Sequence, residues 1–450
     1  MKETKVTVVV TSYNQKDELI QCLKWLQWVC GIANVIVADN GSQDGTAEIL
    51  AQSGYPYLFF DEGIQGYGTV WNAVINNFEM EDTIVFMEPQ FFPGEKCVLR
   101  MADVLEREKC GLVGPVSNGM LLQYYPINKI ENLQNMEEDI LYHEPAEYRS
   151  LCPEKGIWAI SKKVLQETGK FDEDLVHPKN VLLDYKLRLV QKGYIPIVCF
   201  QALAFSISQI EHYVDFENLL GKCDRDILKS KWNMNYFNLL PVNRILDFIK
   251  EEKETPIRVL EVGCDLGVNL LEIKNRYPNS QICGLEINSS SVEIAHYLAE
   301  VKVGNIEDKK IPFAGEFDYI IFCDVLEHLR DPEGVVRFCR EYLTEHGCIL
   351  ASIPNLMNVS VMEQLLHGRF EYRDTGLLDR SHIHFFTYYE ILRMFQQEGY
   401  IIEELKTTSN ILSMEQEELV QRLMEISEGV EEHMFRCFQY IIKAKRQMGK

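Results

Sequence analysis

Apolar positions along the chain fall into two kinds of run. Short continuous stretches recur, KVTVVVTS at 5–12, ANVIVADN at 33–40, YLFFDEG at 57–63 and DTIVFMEP at 82–89. Between them, and again in MADVLEREK (101–109) before GLVGPVSN (111–118), apolar residues return at helical spacing. Continuous apolar strands alternating with amphipathic helices predict a parallel sheet covered on both faces. A second series opens near residue 257 with IRVLEVG, SQICGLEI, FDYIIFCD and GCILASIP. The pattern therefore predicts two Rossmann-like α/β units in series. Residues 221–256 read as helical and charged, ending in the solvated break EEKETP, so the boundary is expected near residue 235, giving units 1–234 and 235–405. Over 413–446, Leu419, Leu423, Ile426, Val430, Phe438 and Ile441 keep helical spacing. That predicts one long amphipathic helix in a C-terminal helical segment, 406–450, packed on the second unit or pairing two chains as a homodimer.

Composition narrows the partners. The chain has 450 residues and a net charge of -23, which disfavours phosphate-gripping contacts with nucleic acid or anionic lipid. No apolar run approaches the ~20 residues of a membrane span, and the chain enters its first strand without a signal peptide. Thirteen cysteines without a CxxC pair, among them Cys199, Cys323 and Cys348 inside apolar runs, read as buried thiols of a reducing compartment. The expectation is a soluble cytoplasmic protein with no transmembrane segment.

In the second unit, VLEVGCDLG (259–267) passes from a strand through a glycine-bearing turn into the helix NLLEIKNRY. Glycines there let the backbone approach a ligand. Glu286, closing the next strand, is placed to accept from ribose hydroxyls. With VGNIED and FDYIIFCDVLEHL, this succession resembles the class I S-adenosylmethionine-dependent methyltransferases over residues 235–405. The resemblance implies that Glu261, Gly263 and Gly267 shape the methionine end, that Glu286 meets the ribose and that Asn305 and Ile306 lie beside adenine, with Asp324 also near the cofactor. Asp265 stands where the family has a middle glycine, and Asn305 where it has an acid.

Asp324, Glu327 and His328 follow i, i+3, i+4 spacing and would share one helical face, and His382 and His384 come later in LLDRSHIHFFTYYEILRMF. Three readings stay open: local pairing and packing, a histidine general base for a hydroxyl, or a divalent metal site of Asp324, Glu327 and His328.

In the first unit, Thr11, Ser12, Tyr13 and Asn14 end the first strand, and VIVADNGSQDGTAEIL ends its strand in Asp39 before a polar turn. Ligands of open α/β sheets bind at such carboxyl ends. These stretches resemble family 2 glycosyltransferases of the GT-A fold, as do GIQGYGTVWNAVI (63–75) and DRDILKSKWNMNYF near 225–237. The resemblance implies that Thr11, Ser12, Tyr13, Asp39, Gly66, Asn72 and Glu88 face a nucleotide sugar. It also implies a divalent cation, Mg²⁺ or Mn²⁺, on the strand ending in VFMEPQFFPG, where Glu88-Pro89-Gln90 replaces the usual acidic ligand pattern. Val181 and Leu182 occupy the family's Glu-Asp positions, leaving Asp172, His177 or Asp184 as candidate bases. Asp184 equally reads as a structural partner of Arg188.

The whole reads as a bifunctional enzyme of bacterial glycan assembly. It would transfer a sugar from a nucleotide sugar to a glycan acceptor and methylate a sugar hydroxyl with S-adenosylmethionine. The rival reading makes the first unit a sugar-binding module that delivers acceptor to the methyltransferase.

Overall fold

The computed structural model describes residues 5–29, 33–61, 63–120, 123–140, 146–151, 156–207, 222–234 and 237–447. The chain forms two compact units, one ending at Leu239 and the other starting at Leu240.

The first unit contains β1 (Val6–Ser12), β2 (Ala33–Asp39), β3 (Tyr57–Phe59), β4 (Thr83–Met87), β5 (Phe91–Pro93), β6 (Cys110–Ser117), β7 (Glu147–Arg149), β8 (Ile157–Ser161) and β9 (Ile195–Ser206). They form one sheet in the order β3-β2-β1-β4-β8-β6-β9-β5, with β7 on β9. Every residue of β1 is buried, the expected fate of a continuous apolar run covered on both faces. Parallel pairing sets Ser12 opposite Asp39 and runs β1 beside β4, which gathers the polar strand ends along one edge. A core of Val8, Val10, Leu19, Leu23, Val85 and Met101 lies under them.

The second unit contains β10 (Arg258–Val262), β11 (Gln281–Glu286), β12 (Glu300–Val303), β13 (Phe317–Cys323), β14 (Leu343–Pro354), β15 (Tyr400–Ser409) and β16 (Cys437–Arg446). Their order is β12-β11-β10-β13-β14-β16-β15, parallel from β12 to β14 and antiparallel at β16 and β15.

The expected single helix over 413–446, and with it a purely helical segment 406–450, does not form. A helix runs from Met414 to Ile426, opened by a capping box of Ser413 and Gln416. Gly429 then takes φ 72, a left-handed conformation that breaks the helix, and Glu432–Arg436 adds one short turn before β16. In β16 the side chains alternate: Tyr440, Ile442 and Ala444 enter the core on one face, Ile441 the core on the other. Helical spacing at Phe438 and Ile441 was coincidental, and a two-faced strand buries more of this stretch than a surface helix would. The helix Met414–Ile426 packs instead through Val420 and Leu423 on Val359 and Phe435. No described helix is long and apolar enough to cross a membrane.

Candidate active sites

In the second unit the glycine turn after β10 is a left-handed turn three times over: Gly263 at φ 72, Asp265 at φ 46 and Gly267 at φ 77. The Asp265 carboxylate accepts from the Ser291 hydroxyl at 2.8 Å, which holds the side chain at this turn. Glu286 braces the loops with both oxygens, accepting from the Asp265 and Asn288 amides at 2.8 Å each. Its place at the end of β11 is as expected, and two lone pairs remain for ribose. Glu261 is buried, accepts from Asn269 at 2.6 Å and leaves its second oxygen without a partner. Burial raises this carboxyl to about 8, and the nearby carboxylates of Asp265 and Glu286 push the same way. Asn305 caps the turn Ile306–Asp308 by accepting from Glu307, and the Ile306 side chain is buried in the core. That segment can therefore offer a ligand backbone atoms and an edge, not the Ile306 side chain.

A Cβ placed on Gly263 would meet Val325 at 2.8 Å, so the glycine turn lies directly against the turn that follows β13. That second turn is built differently from the expected helical face. Asp324 takes φ 53 and precedes a single 3-10 turn, Leu326–His328. The Ser352 hydroxyl accepts from the Asp324 amide at 3.0 Å and donates to its carboxylate at 2.8 Å, and Gln439 of β16 donates to the same oxygen at 2.7 Å. Asp324 is exposed on this turn, and packing around its carboxyl raises it above the usual range, only partly offset by the Ser352 and Gln439 hydrogen bonds.

Glu327 is 1% exposed and neither carboxylate oxygen has a hydrogen-bond partner. Burial, with Asp324 nearby, pushes it well above an ordinary glutamate. Its backbone carbonyl accepts from the amides of Ile383 and His384, which brings the later loop onto this turn. The result places a ligand atom each of Glu327, His328 and His382 within 4.8 Å of one another. His328 donates through Nδ1 to the Ser381 carbonyl at 3.1 Å and His382 through Nδ1 to the Leu377 carbonyl at 3.2 Å. A carbonyl only accepts, so both rings must be protonated at Nδ1 and, when neutral, present a bare Nε2. Burial and then the neighbouring His328 lower His382, which favours that neutral form.

His384 stands outside this group: its Nε2 faces the Arg330 carbonyl at 3.3 Å and its ring stacks on Phe386. Asp324 lies beside the group as its neighbour and is not one of its three close ligands. Asn269, Ser352 and Gln439, which hold Glu261 and Asp324, were not legible beforehand.

In the first unit Ser12 and Asp39 are fully buried, Thr11 nearly so, and Tyr13 is 36% exposed at the sheet edge. Asp39 accepts from the Ser42 amide at 2.8 Å and hydroxyl at 2.6 Å, which shapes the polar turn; burial nonetheless leaves its carboxyl raised. Asn14, at φ 51, is stitched to that turn by accepting from Gln43 and donating to Ser42. The Ser12 hydroxyl has no partner, and Thr11 accepts from the Trp71 indole at 3.1 Å.

Gly66 and Asn72 both pack on the segment around residues 171–176. A Cβ on Gly66 would lie 3.0 Å from the Leu175 carbonyl, and one on Gly68 would lie 2.0 Å from that of Asp172. These glycines admit the 172–176 segment, and no phosphate is needed to explain them. Asn72 spends both ends of its amide on that segment, donating to Phe171 and Glu173 and accepting from the Phe171 amide.

Two of the three candidate bases, Asp172 and Asp184, are ion-paired. Asp184, with no exposure, meets Arg188 at 2.9 Å, Lys231 at 2.7 Å and the Trp232 indole at 3.1 Å. Asp172 pairs with Lys231 too; burial raises its carboxyl, but Lys231 and the Asp174 amide outweigh that and hold it low. His177 is exposed and begins the helix Pro178–Gln191. Leu182 and Glu88 line one cavity of about 10 Å³, the room of about one water, walled by Tyr67, Trp71, Phe86 and Trp158. The Gln90 amide donates to Glu88, and its carbonyl end accepts from Gln15 at 3.0 Å. A neutral donor thus lies against the one carboxylate of VFMEPQFFPG. Residues 235–236 of the closing stretch lie outside the described residues.

Two transferase domains account for this architecture. Residues 7–164 match the family model described as glycosyl transferase family 2, and residues 233–405 match one described as a methyltransferase domain. The chain therefore joins a domain that matches glycosyl transferase family 2 to one that matches a methyltransferase domain. Among curated relatives, a ubiquinone biosynthesis O-methyltransferase of Acinetobacter baylyi is 25% identical over 29% of this chain and 60% of its own length. The namesake from Escherichia coli is 27% identical over 33% of this chain and 65% of its own. The chain thus spans a little under two thirds of these relatives. A solved SAM-dependent methyltransferase from Archaeoglobus fulgidus superposes with TM-score 0.33 at 17% identity, covering 52% of this chain and all of that one.

Proposed function

We propose that the second domain transfers a methyl group from S-adenosylmethionine to a hydroxyl of a saccharide, within bacterial polysaccharide or glycoconjugate synthesis in the cytoplasm. One observation carries the reading: a buried carboxylate, Glu327, with both oxygens unpartnered beside two bare imidazole Nε2 atoms, against the cofactor turn. A buried charge without a partner is costly, so the three groups fit a divalent cation such as Mg²⁺ or Mn²⁺, held by Glu327, His328 and His382. A cation bound there supplies Lewis-acid polarisation of the acceptor hydroxyl. Glu261 and Glu286 would orient the cofactor, and Asp324 would stand between it and the acceptor.

For the first domain, nucleotide-sugar binding at Thr11–Tyr13 and Asp39 with glycosyl transfer is the first reading. The Gln90 donor on Glu88, together with Lys231 on both Asp172 and Asp184, favours a second, in which the domain binds sugar and presents acceptor. Calorimetry separates the parts. We expect S-adenosylmethionine to bind, and Glu327→Gln, which replaces a direct carboxylate ligand by a neutral amide, to weaken Mg²⁺ or Mn²⁺ binding with cofactor affinity unchanged. Absence of cofactor binding to the native chain would sink the methyltransferase reading. Methyl transfer that ignores a chelator would replace the cation with a histidine base.

A further inference from the structure

The edge of the first sheet opposite Ser12, Asp39 and Glu88 bears a groove of about 640 Å³. Its lining includes Lys5, leading into β1, and Asp82 and Thr83 at the start of β4. It continues with Ser161–Lys163 at the end of antiparallel β8, Arg107–Cys110 leading into β6, and Lys192–Tyr194 leading into β9. Since β1-β4-β8-β6-β9 are consecutive neighbours in the sheet, these residues form one row across five strands. At ~4.8 Å per strand spacing the row is roughly 19 Å long.

The row is basic in an acidic chain. Lys5, Arg107, Lys109, Lys162, Lys163 and Lys192 line it against Asp82, Glu106 and Glu108, six positive charges to three negative, whereas the whole chain carries -23. Two of the cations are committed: Arg107 pairs with Glu147, and Lys163 lies 3.9 Å from Glu167. Lys162 donates to the Met80 carbonyl at 2.8 Å, which fixes its ammonium without neutralising it. Lys5, Lys109 and Lys192 are exposed and have no ion pair among the described residues. The backbone holds them in place: the Lys5 carbonyl accepts from Thr83 and the Lys109 carbonyl from Ile195. Lys109 takes φ 65, so the chain turns sharply into β6 at the groove. Cations spaced along a groove in an otherwise anionic surface concentrate anions there.

We propose that this row binds a ligand bearing two or more phosphate groups, at a site separate from the strand-end turns. The shared chemistry is the phosphate anion, either free as a diphosphate or presented by lipid headgroups. The test uses the full chain and the triple variant Lys5→Glu, Lys109→Glu, Lys192→Glu, three exposed positions outside the core. Inorganic pyrophosphate binding is measured by calorimetry at low and high salt. Co-sedimentation is measured with phosphatidylglycerol vesicles against phosphatidylcholine vesicles. Salt-sensitive binding of pyrophosphate that weakens at least about tenfold in the variant supports a free phosphate ligand. Binding only to phosphatidylglycerol vesicles, lost to the same degree, supports a headgroup ligand. Binding that survives the triple substitution, or no binding of either probe at low salt, overturns the proposal.

Discussion

Glu261 shows how far one buried group can tie stability to pH. Burial sets its carboxyl at about 8, against ~4.3 for an unfolded glutamate. Between those values the folded chain keeps a proton that the unfolded chain has released, so the folded state binds more protons. Stability from this group is therefore complete below ~4.3, falls as pH rises and levels off above about 8. Without cofactor, the second unit should lose a few kcal/mol between pH 5 and 8.5, and Glu261→Gln should flatten much of that slope. Urea unfolding at the two pH values checks it, and parallel slopes in both proteins would remove Glu261 as the cause. At the same scale, Gln90→Asp tests the first domain: replacing the amide donor beside Glu88 with a carboxylate should create Mn²⁺ binding that the native chain shows weakly or not at all. Equal Mn²⁺ affinity in the two proteins would show that the amide does not block the cation.

At the scale of elements, the helix Pro178–Gln191 depends on a residue far from it in sequence. Its start has no cap from its own N-cap side chain, His177. Asp224, 3% exposed, serves instead, accepting from the Val176 and His177 amides at 3.2 and 2.9 Å and from Asn180 at 2.7 Å. Asp224→Ala leaves those three donors without their acceptor, the Asn180 amide among them buried, and should lower the first unit's unfolding free energy by ~1–3 kcal/mol, read from its urea transition. Should the midpoint stay put, water replaces the cap and the helix start is less enclosed than described. The same helix shows what periodicity can and cannot tell. Its apolar face was plain from VLLDYKLRL, and so was the Asp184–Arg188 spacing. That Lys231 and Trp232 also close on Asp184 was not, since nothing local marks a partner 47 or 48 positions away.

At the scale of the molecule, the last strand decides whether the second unit exists. β16 lies between β14 and β15, pairs with both, and its Gln439 donates to Asp324 on the turn after β13. A chain ending at residue 436 should therefore fail to fold its second unit and lose cofactor binding, shown by calorimetry and by loss of that unit's cooperative melt. If the truncated chain binds cofactor with native affinity, the strand is dispensable. The sequence by itself determined the two α/β series, the polar strand ends and the glycine turn before the helix Val268–Arg276, because each is a matter of near-neighbour spacing and turn chemistry. Three things waited for the tertiary structure: residues 437–446 became a strand, His382 and not His384 joined His328, and Gln90 and Lys231 occupied the first domain's carboxylates. Each turns on a partner brought close by chain closure, and a local pattern compatible with helix or strand, or with a free or a paired acid, is resolved only by what packs against it.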